Sequence, residues 1–263
     1  MPSGPLRGLR VFDLTRVLAG PVATRFLAGY GAQVLRIDAP DWDEPGAVPE
    51  VTAGKRCARL DLRQPRQREV FEALLAQADI LVHGLRPGAL DGLGLGAQQR
   101  RRIRPGLIDV SLDAYGHAGP WAARRGFDSL VQFSCGIAAR GMAWRQAGDP
   151  VSLPVQALDH ATGYLMAAAV VRALTQRLRA GQAWSARVSL ARTAELLFAH
   201  PGEAADAPFV EAAQAELAQG IEATAWGPAR RLHPPAVVAG APMRWDTPAV
   251  ALGSAQPQWQ AQR

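Results

Sequence analysis

Asp159 and His160 hold the clearest chemical potential in this 263-residue chain: an acid and a base stand side by side, directly ahead of a long run rich in Ala, Leu and Val. The aspartate has two readings. It is a nucleophile or proton acceptor, or it is an N-cap that satisfies free N–H groups at the start of a helix, a role aspartate fills readily. Neighbouring helical residues do not face one another, so Asp159 and His160 are not a dyad by adjacency alone. The remaining histidines, His83, His117, His200 and His233, show no metal-ligand spacing, and no G-x-S-x-G elbow marks a serine nucleophile. Asp38 ends an apolar run where a nicotinamide enzyme keeps its ribose-binding acid. The turn after the first apolar run, however, reads T-R-V-L-A-G-P, without the G-x-G-x-x-G that admits a pyrophosphate. Cys57 and Cys135 are too few for a disulfide framework and wrongly spaced for a metal cluster.

The elements that must position these residues alternate. Leu9 to Leu14 reads as a strand, and a helix opens at Val17-Leu18-Ala19-Gly20-Pro21, runs to about Tyr30 and stops at Gly31. Ala32 to Ile37 is the next strand, and two strands joined through one helix pair in parallel. Gln64 to Ala78 is helical, Asp79 to Val82 a buried strand, Ala97 to Arg102 a helix and Leu107 to Leu112 a strand. Phe127 to Ala139 is a helix or an extended buried segment. Leu158 to Arg179 is the longest helix, ending at Gly181; Ala186 to Leu190 is a further strand, followed by a helix through Phe198. The alternation predicts an α/β fold, an open, doubly wound, mostly parallel sheet. Ligands of such sheets bind outside the carboxyl ends of the strands, which brings Thr15–Gly20, Asp38–Asp41, His83–Arg86 and Asp113–His117 to one crevice. Residues 203–225, rich in Ala and Glu, are expected to form one helix. Residues 226–263 are expected as an extended or partly disordered tail.

Composition narrows the class. The chain is 48% hydrophobic and 20% charged, as in ordinary globular proteins, and it has no apolar run of the roughly 18 residues a membrane span requires. Its start, MPSGPLRGLRVFDL, lacks the apolar core of a signal peptide, so a cytoplasmic location is expected. The net charge is +6, almost all of it from arginine, with Lys55 the single lysine. Such a balance suits anionic ligands, but no nucleic-acid motif accompanies it and aromatics are only 6%, so no nucleic-acid partner is expected. The densest cluster, Arg100-Arg101-Arg102 with Arg104, is expected on an exposed last helical turn, where cations suit the dipole.

Several stretches, in order, resemble the class III (CaiB/BaiF-like) CoA-transferases. They are G-L-R-V-F-D-L-T-R-V-L-A-G-P (Gly8 to Pro21), L-A-G-Y-G-A-Q-V-L-R-I-D-A-P (Leu27 to Pro40) and G-K-R-C-A-R-L-D-L (Gly54 to Leu62). A-D-I-L-V-H-G-L-R-P-G-A-L-D-G-L-G-L (Ala78 to Leu95), Y-G-H-A-G-P (Tyr115 to Pro120) and R-G-F-D (Arg125 to Asp128) follow. The series closes with A-L-D-H-A-T-G-Y-L-M-A-A-A-V-V-R-A-L (Ala157 to Leu174) and R-V-S-L-A (Arg187 to Ala191). The resemblance implies a Rossmann-like CoA-binding domain over 1–200, with coenzyme A as acyl-CoA substrate, a carboxylic acid as acceptor and no metal. It makes Asp159 the nucleophile, passing through an aspartyl-CoA thioester. It also implies that Val17, Leu18, Ala19, Ala39, Gly84, Leu85 and Arg86 line the CoA path and that Arg125 meets the CoA phosphates.

Two departures matter. In the related 2-methylacyl-CoA racemases a histidine precedes the aspartate of the motif that reads R-G-F-D here, and Phe127 stands in its place; the resemblance therefore implies transferase rather than racemase chemistry. Typical members also carry a second, smaller domain beyond the part that ends near Phe198, whereas only about 65 residues follow here. The small domain is expected to be largely absent, with 201–225 as a helical bridge and Leu232 to Ala249 resembling the returning tail. A non-catalytic CoA-binding protein, or one subunit of a heteromeric transferase, is the alternative. The resemblance also implies a homodimer or an assembly with another subunit.

Overall fold

Strands and helices alternate up to Ala199 in the computed structural model, which describes residues 4–202, 210 and 212–261. β1 (Arg10–Leu14), α1 (Ala19–Gly29) and β2 (Gln33–Asp38) form the opening βαβ unit. A short helix α2 (Val48–Val51) leads to β3 (Lys55–Arg59), and α3 (Pro65–Leu75) leads to β4 (Ile80–His83). After α4 (Ala89–Gly92) and α5 (Ala97–Ile103) comes β5 (Ile108–Asp113). Helices α6 (Asp128–Ser134), α7 (Ile137–Arg145) and the 24-residue α8 (Ala157–Ala180) then precede β6 (Ser185–Ser189) and α9 (Leu190–Ala199).

The six strands form one sheet in the order β3-β2-β1-β4-β5-β6, every pair parallel. Successive residues of each strand serve opposite faces. Val11, Val34, Ile80 and Val110 pack toward α1 and α8, against Leu27, Met166 and Val170. Phe12, Leu35, Ile37 and Leu81 pack toward α3, against Phe71, Leu74 and Leu75. Both faces are covered, which is why these strands read as nearly continuous apolar runs. The chain reverses its direction of travel across the sheet between β1 and β4. At such a switch point the connections leave to opposite sides and open a crevice outside the carboxyl ends.

Helix boundaries follow local chemistry. α1 begins at Ala19 rather than Pro21, and Pro21 still falls in the first turn, where its missing N–H costs nothing. α8 ends at Gly181, whose φ of 66° is the left-handed cap that terminates a helix without a Cβ penalty. The segment from Phe127 forms two helices, α6 and α7, because Gly136 between them is left-handed.

Three expectations are corrected. The helix expected over 203–225 is absent from its described C-terminal part: Leu217–Thr224 is strand β7, paired antiparallel with β8 (Gly227–Leu232) after a 3-10 turn at Gln214–Glu216. Residues 203–209 and 211 lie outside the described residues. The helix-forming tendency of Ala and Glu is a weak prior. It is overridden here by strand pairing, by the Thr224 hydroxyl donating to the Gly227 carbonyl (2.6 Å), and by the Arg231–Glu222 ion pair across the hairpin (2.6 Å). Strand β3 has no counterpart in the expected elements, since K-R-C-A-R looks polar. Its Lys55 and Arg56 ends are anchored by the buried ion pair described below and by the Gln258 carbonyl, respectively. Arg100 is not on an exposed turn. It is 5% exposed and donates twice to Asp109 Oδ2, at 2.7 and 2.9 Å.

The tail packs on the domain. Trp259 lies 5.8 Å from the Phe12 ring and donates to the Leu74 carbonyl, and Ala255 N–H donates to the Cys57 carbonyl at 2.9 Å, covering the outer edge of β3. Among the described residues no helix is long and apolar enough to cross a membrane.

Candidate active site

A cavity of about 700 Å³ opens at the switch point, outside the carboxyl ends of β1, β2, β4 and β5. Val17, Leu18 and Ala19 line it from the β1–α1 turn, Ala39 from the end of β2, and Gly84, Leu85 and Arg86 from the end of β4. Arg125 lines it from the segment ahead of α6, and Asp159 from the first turn of α8. All nine residues singled out from the sequence therefore border one space, although Val17 and Asp159 are 142 positions apart. His160 does not share it. That ring is exposed on the next helical position, and its pKa is lowered by partial burial and by the nearby Arg25 cation.

Asp159 is not the N-cap of α8; Gln156 holds that position. Instead its backbone N–H donates to Asp128 Oδ2 at 2.9 Å, so a carboxylate from α6 satisfies the free amide. Asp128 is itself buried, and its other oxygen accepts from the Gln132 side chain. The cap function is thus supplied from outside, and the Asp159 carboxylate takes no hydrogen bond from the described residues. Burial, followed by repulsion from Asp128, pushes the Asp159 carboxyl up to about 7. A carboxylate that is 6% exposed and free of partners keeps its lone pairs for an incoming ligand.

Two close approaches set where this group stands. A Cβ on Gly163, one turn after Asp159, would lie 2.5 Å from the Ala19 carbonyl oxygen and 2.9 Å from Val22, so α8 crosses the start of α1 with nothing between them. On the other flank the Thr162 and Thr193 hydroxyls share a 2.6 Å hydrogen bond, tying α8 to α9. Asp159 is thereby held beside the β1–α1 turn.

That turn rests on a buried polar network. Asp13 accepts from Thr15 N–H (2.9 Å), the Thr15 hydroxyl (2.6 Å), the Thr24 hydroxyl (2.6 Å) and Lys55 Nζ (2.9 Å). Burial raises its pKa, but Lys55, Arg36 and the two hydroxyls outweigh that and hold the carboxyl below its usual range. The only lysine of the sequence is therefore structural, aimed inward from β3. Basic groups rim the cavity: Arg16 stacks on Trp42 at 4.2 Å, Arg63 pairs with Asp61, and Arg86 and Arg125 are exposed at the mouth. Guanidinium groups on an apolar crevice suit a ligand with phosphates at one end and a reactive acyl group at the other.

Sequence reasoning missed Asp128 as the cap of α8, Glu44 and Trp42 as supports of the β1–α1 turn, and Lys55 as the counter-ion of Asp13. Asp128 and Lys55 lie inside stretches that were recognised, yet nothing in a linear pattern pairs positions 128 and 159, or 13 and 55.

A family model described as CoA-transferase family III matches residues 6–247. The chain is 34% identical over 203 residues to the probable fatty acyl-CoA transferase Rv3272 of Mycobacterium tuberculosis, covering 72% of this chain and 51% of that protein. It is also 34% identical over 191 residues to the mouse succinyl-CoA:glutarate CoA-transferase, covering 68% of this chain and 43% of that one. The crystal structure of the mycobacterial protein superposes with a TM-score of 0.70 over 75% of this chain and 57% of the other. A CAIB/BAIF family protein from Brucella suis, 29% identical, gives 0.68 over 75% and 56%. The chain spans about half the length of the curated relatives it matches. By the match along most of its length, this chain belongs to CoA-transferase family III.

Proposed function

We propose that this chain moves CoA from an acyl-CoA donor to a carboxylic acid, with Asp159 as the covalent nucleophile and Val17–Ala19, Ala39, Gly84–Arg86 and Arg125 along the CoA path. The observation that carries the reading is the Asp159 carboxylate itself: buried, without a hydrogen-bond partner, and facing a cavity rimmed by arginines. Relatives named as succinyl-CoA:glutarate and acetyl-CoA:oxalate CoA-transferases exchange CoA between acids, which is the reaction class adopted here.

In this mechanism an Asp159 oxygen attacks the thioester carbonyl, a C–O bond forms, the C–S bond breaks and CoA leaves as thiolate. The thiolate then attacks the aspartyl carbonyl of the resulting anhydride, expelling the donor acid and leaving an aspartyl-CoA thioester. An acceptor carboxylate attacks that thioester, again releasing thiolate. The thiolate takes the acceptor's acyl carbon and restores the Asp159 carboxylate, so atoms and charge balance. Burial serves this chemistry twice. It strips water from the attacking oxygen, and it protects the anhydride from hydrolysis. Phe127 lines the cavity and exchanges no proton, which favours transfer over racemisation.

Mass spectrometry of the intact protein after incubation with acyl-CoA tests the reading. The wild-type chain should gain the mass of CoA less one water, Asp159→Ala should gain nothing, and both should bind CoA in a calorimeter. Binding without any adduct on the wild-type chain would leave a CoA-binding protein, or one subunit of a heteromeric transferase. Absence of CoA binding at millimolar concentration would refute a stand-alone transferase and leave a relic or a subunit that needs its partner.

A further inference from the structure

Val17 has a φ of +65°, in the left-handed region. A β-branched side chain there crowds its own backbone, and such a conformation persists only where surrounding contacts over-determine it. One contact stands out. The Val17 N–H donates to Glu44 Oε2 at 2.7 Å, across 27 positions of sequence. Glu44 is held in turn: its Oε1 pairs with Arg36, its Oε2 also accepts from Trp42 Nε1 at 3.2 Å, and Arg36 is locked to Asp38 at 2.8 and 3.0 Å. Trp42 carries Arg16 on its face, the residue just before Val17. The left-handed residue is thus clipped to the β2–α2 loop, and its successors Leu18 and Ala19 enter α1 against the Asp159 crevice.

We infer that Glu44 is a positioning residue, a latch that holds Val17 left-handed so that the Val17–Ala19 turn presents the shape acyl-CoA requires. The assignment rests on the proposed CoA chemistry for its purpose but not for its mechanics. Without the latch Val17 relaxes to negative φ, the turn shifts, and the binding-competent form becomes a minor fraction, which weakens apparent affinity by that fraction. Glycine adopts positive φ without a Cβ penalty, so a glycine at this position makes the latch largely redundant.

A double-mutant cycle on Glu44→Ala and Val17→Gly tests this, read by urea unfolding without ligand and by calorimetric titration of coenzyme A. Glu44→Ala alone should weaken CoA binding by about tenfold, or about 1.4 kcal/mol, and lower the urea midpoint. In the Val17→Gly background the same substitution should cost no more than about threefold and move the midpoint less. Glu44→Gln, which keeps an acceptor for the Val17 N–H, should stay within about threefold of wild type. If Glu44→Ala does not fold alone it should fold in the Val17→Gly background, and failure in both backgrounds overturns the latch. Equal losses in both backgrounds, in either readout, overturn the latch. A wild-type chain that fails to bind CoA, combined with a non-additive urea cycle, sinks the CoA reading and leaves the latch standing.

Discussion

Replacing Asp159 by asparagine should make this protein more stable at pH 8, even as it removes the nucleophile of the proposed transfer. The carboxyl titrates near 3.8 when unfolded and is pushed up to about 7 in the fold by burial and by Asp128. The folded state therefore holds its proton more tightly than the unfolded chain, and stability falls as pH rises from about 4 to about 7. Each pH unit of that interval corresponds to about 1.4 kcal/mol, so the ionised carboxylate costs the fold up to about 4 kcal/mol above pH 7. Asparagine has nearly the same shape and no charge. Part of the gain is returned because its amide is also buried without a partner, which leaves an expected stabilisation of about 2–3 kcal/mol at pH 8. At pH 4 the native aspartate is protonated and the charge cost is gone, so only the unpaired amide remains and the asparagine variant should be about 1–2 kcal/mol less stable than the wild type. Urea unfolding of both proteins at pH 4, 6 and 8 measures this directly. A difference that stays constant with pH, or an asparagine variant less stable at pH 8, would refute the account of Asp159 as a desolvated, unpaired carboxylate.

The same electrostatics predict the activity profile. In the proposed mechanism transfer needs the Asp159 carboxylate, so the rate should rise with pH through a midpoint near 7, and Asp128→Asn should move that midpoint down. Because burial is the larger cause, the downward move should be under about 1.5 pH units; an upward move would contradict the repulsion. Gly163→Ala drives a methyl into the Ala19 carbonyl and Val22, so it should cost about 1–3 kcal/mol by urea unfolding. It should also slow transfer, since α1 and α8 both carry site residues, and an unchanged rate would show that the crossing tolerates separation. Lys55→Met leaves Asp13 buried without its counter-ion and should cost about 3–5 kcal/mol near pH 7, with much of the loss recovered on adding Asp13→Asn.

What could be read from the sequence was whatever depends on local pattern. The apolar runs at Leu9–Leu14, Ala32–Ile37 and Leu107–Leu112, spaced by helical stretches, were sufficient for a parallel doubly wound sheet, because a strand covered on both faces is apolar at most positions. Gly31 and Gly181 marked helix ends, since only glycine adopts the left-handed cap freely. Asp159 was legible as a candidate by residue type and place, and as a nucleophile through family resemblance. Its raised pKa was not: that comes first from burial and then from the nearby Asp128 carboxylate. The polar strand β3 and the hairpin β7–β8 escaped for the same reason, since their stability lies in the partners they meet and not in their own residues. The sequence by itself determined the order of the apolar strands and the helices between them and marked Asp159 as a candidate carboxylate, because these follow from periodicity and side-chain chemistry. Tertiary structure decided that Asp128 caps α8, that Glu44 clips Val17 and that Lys55 neutralises Asp13. Each of these is a hydrogen bond or ion pair between residues distant along the chain, and linear spacing carries no trace of it.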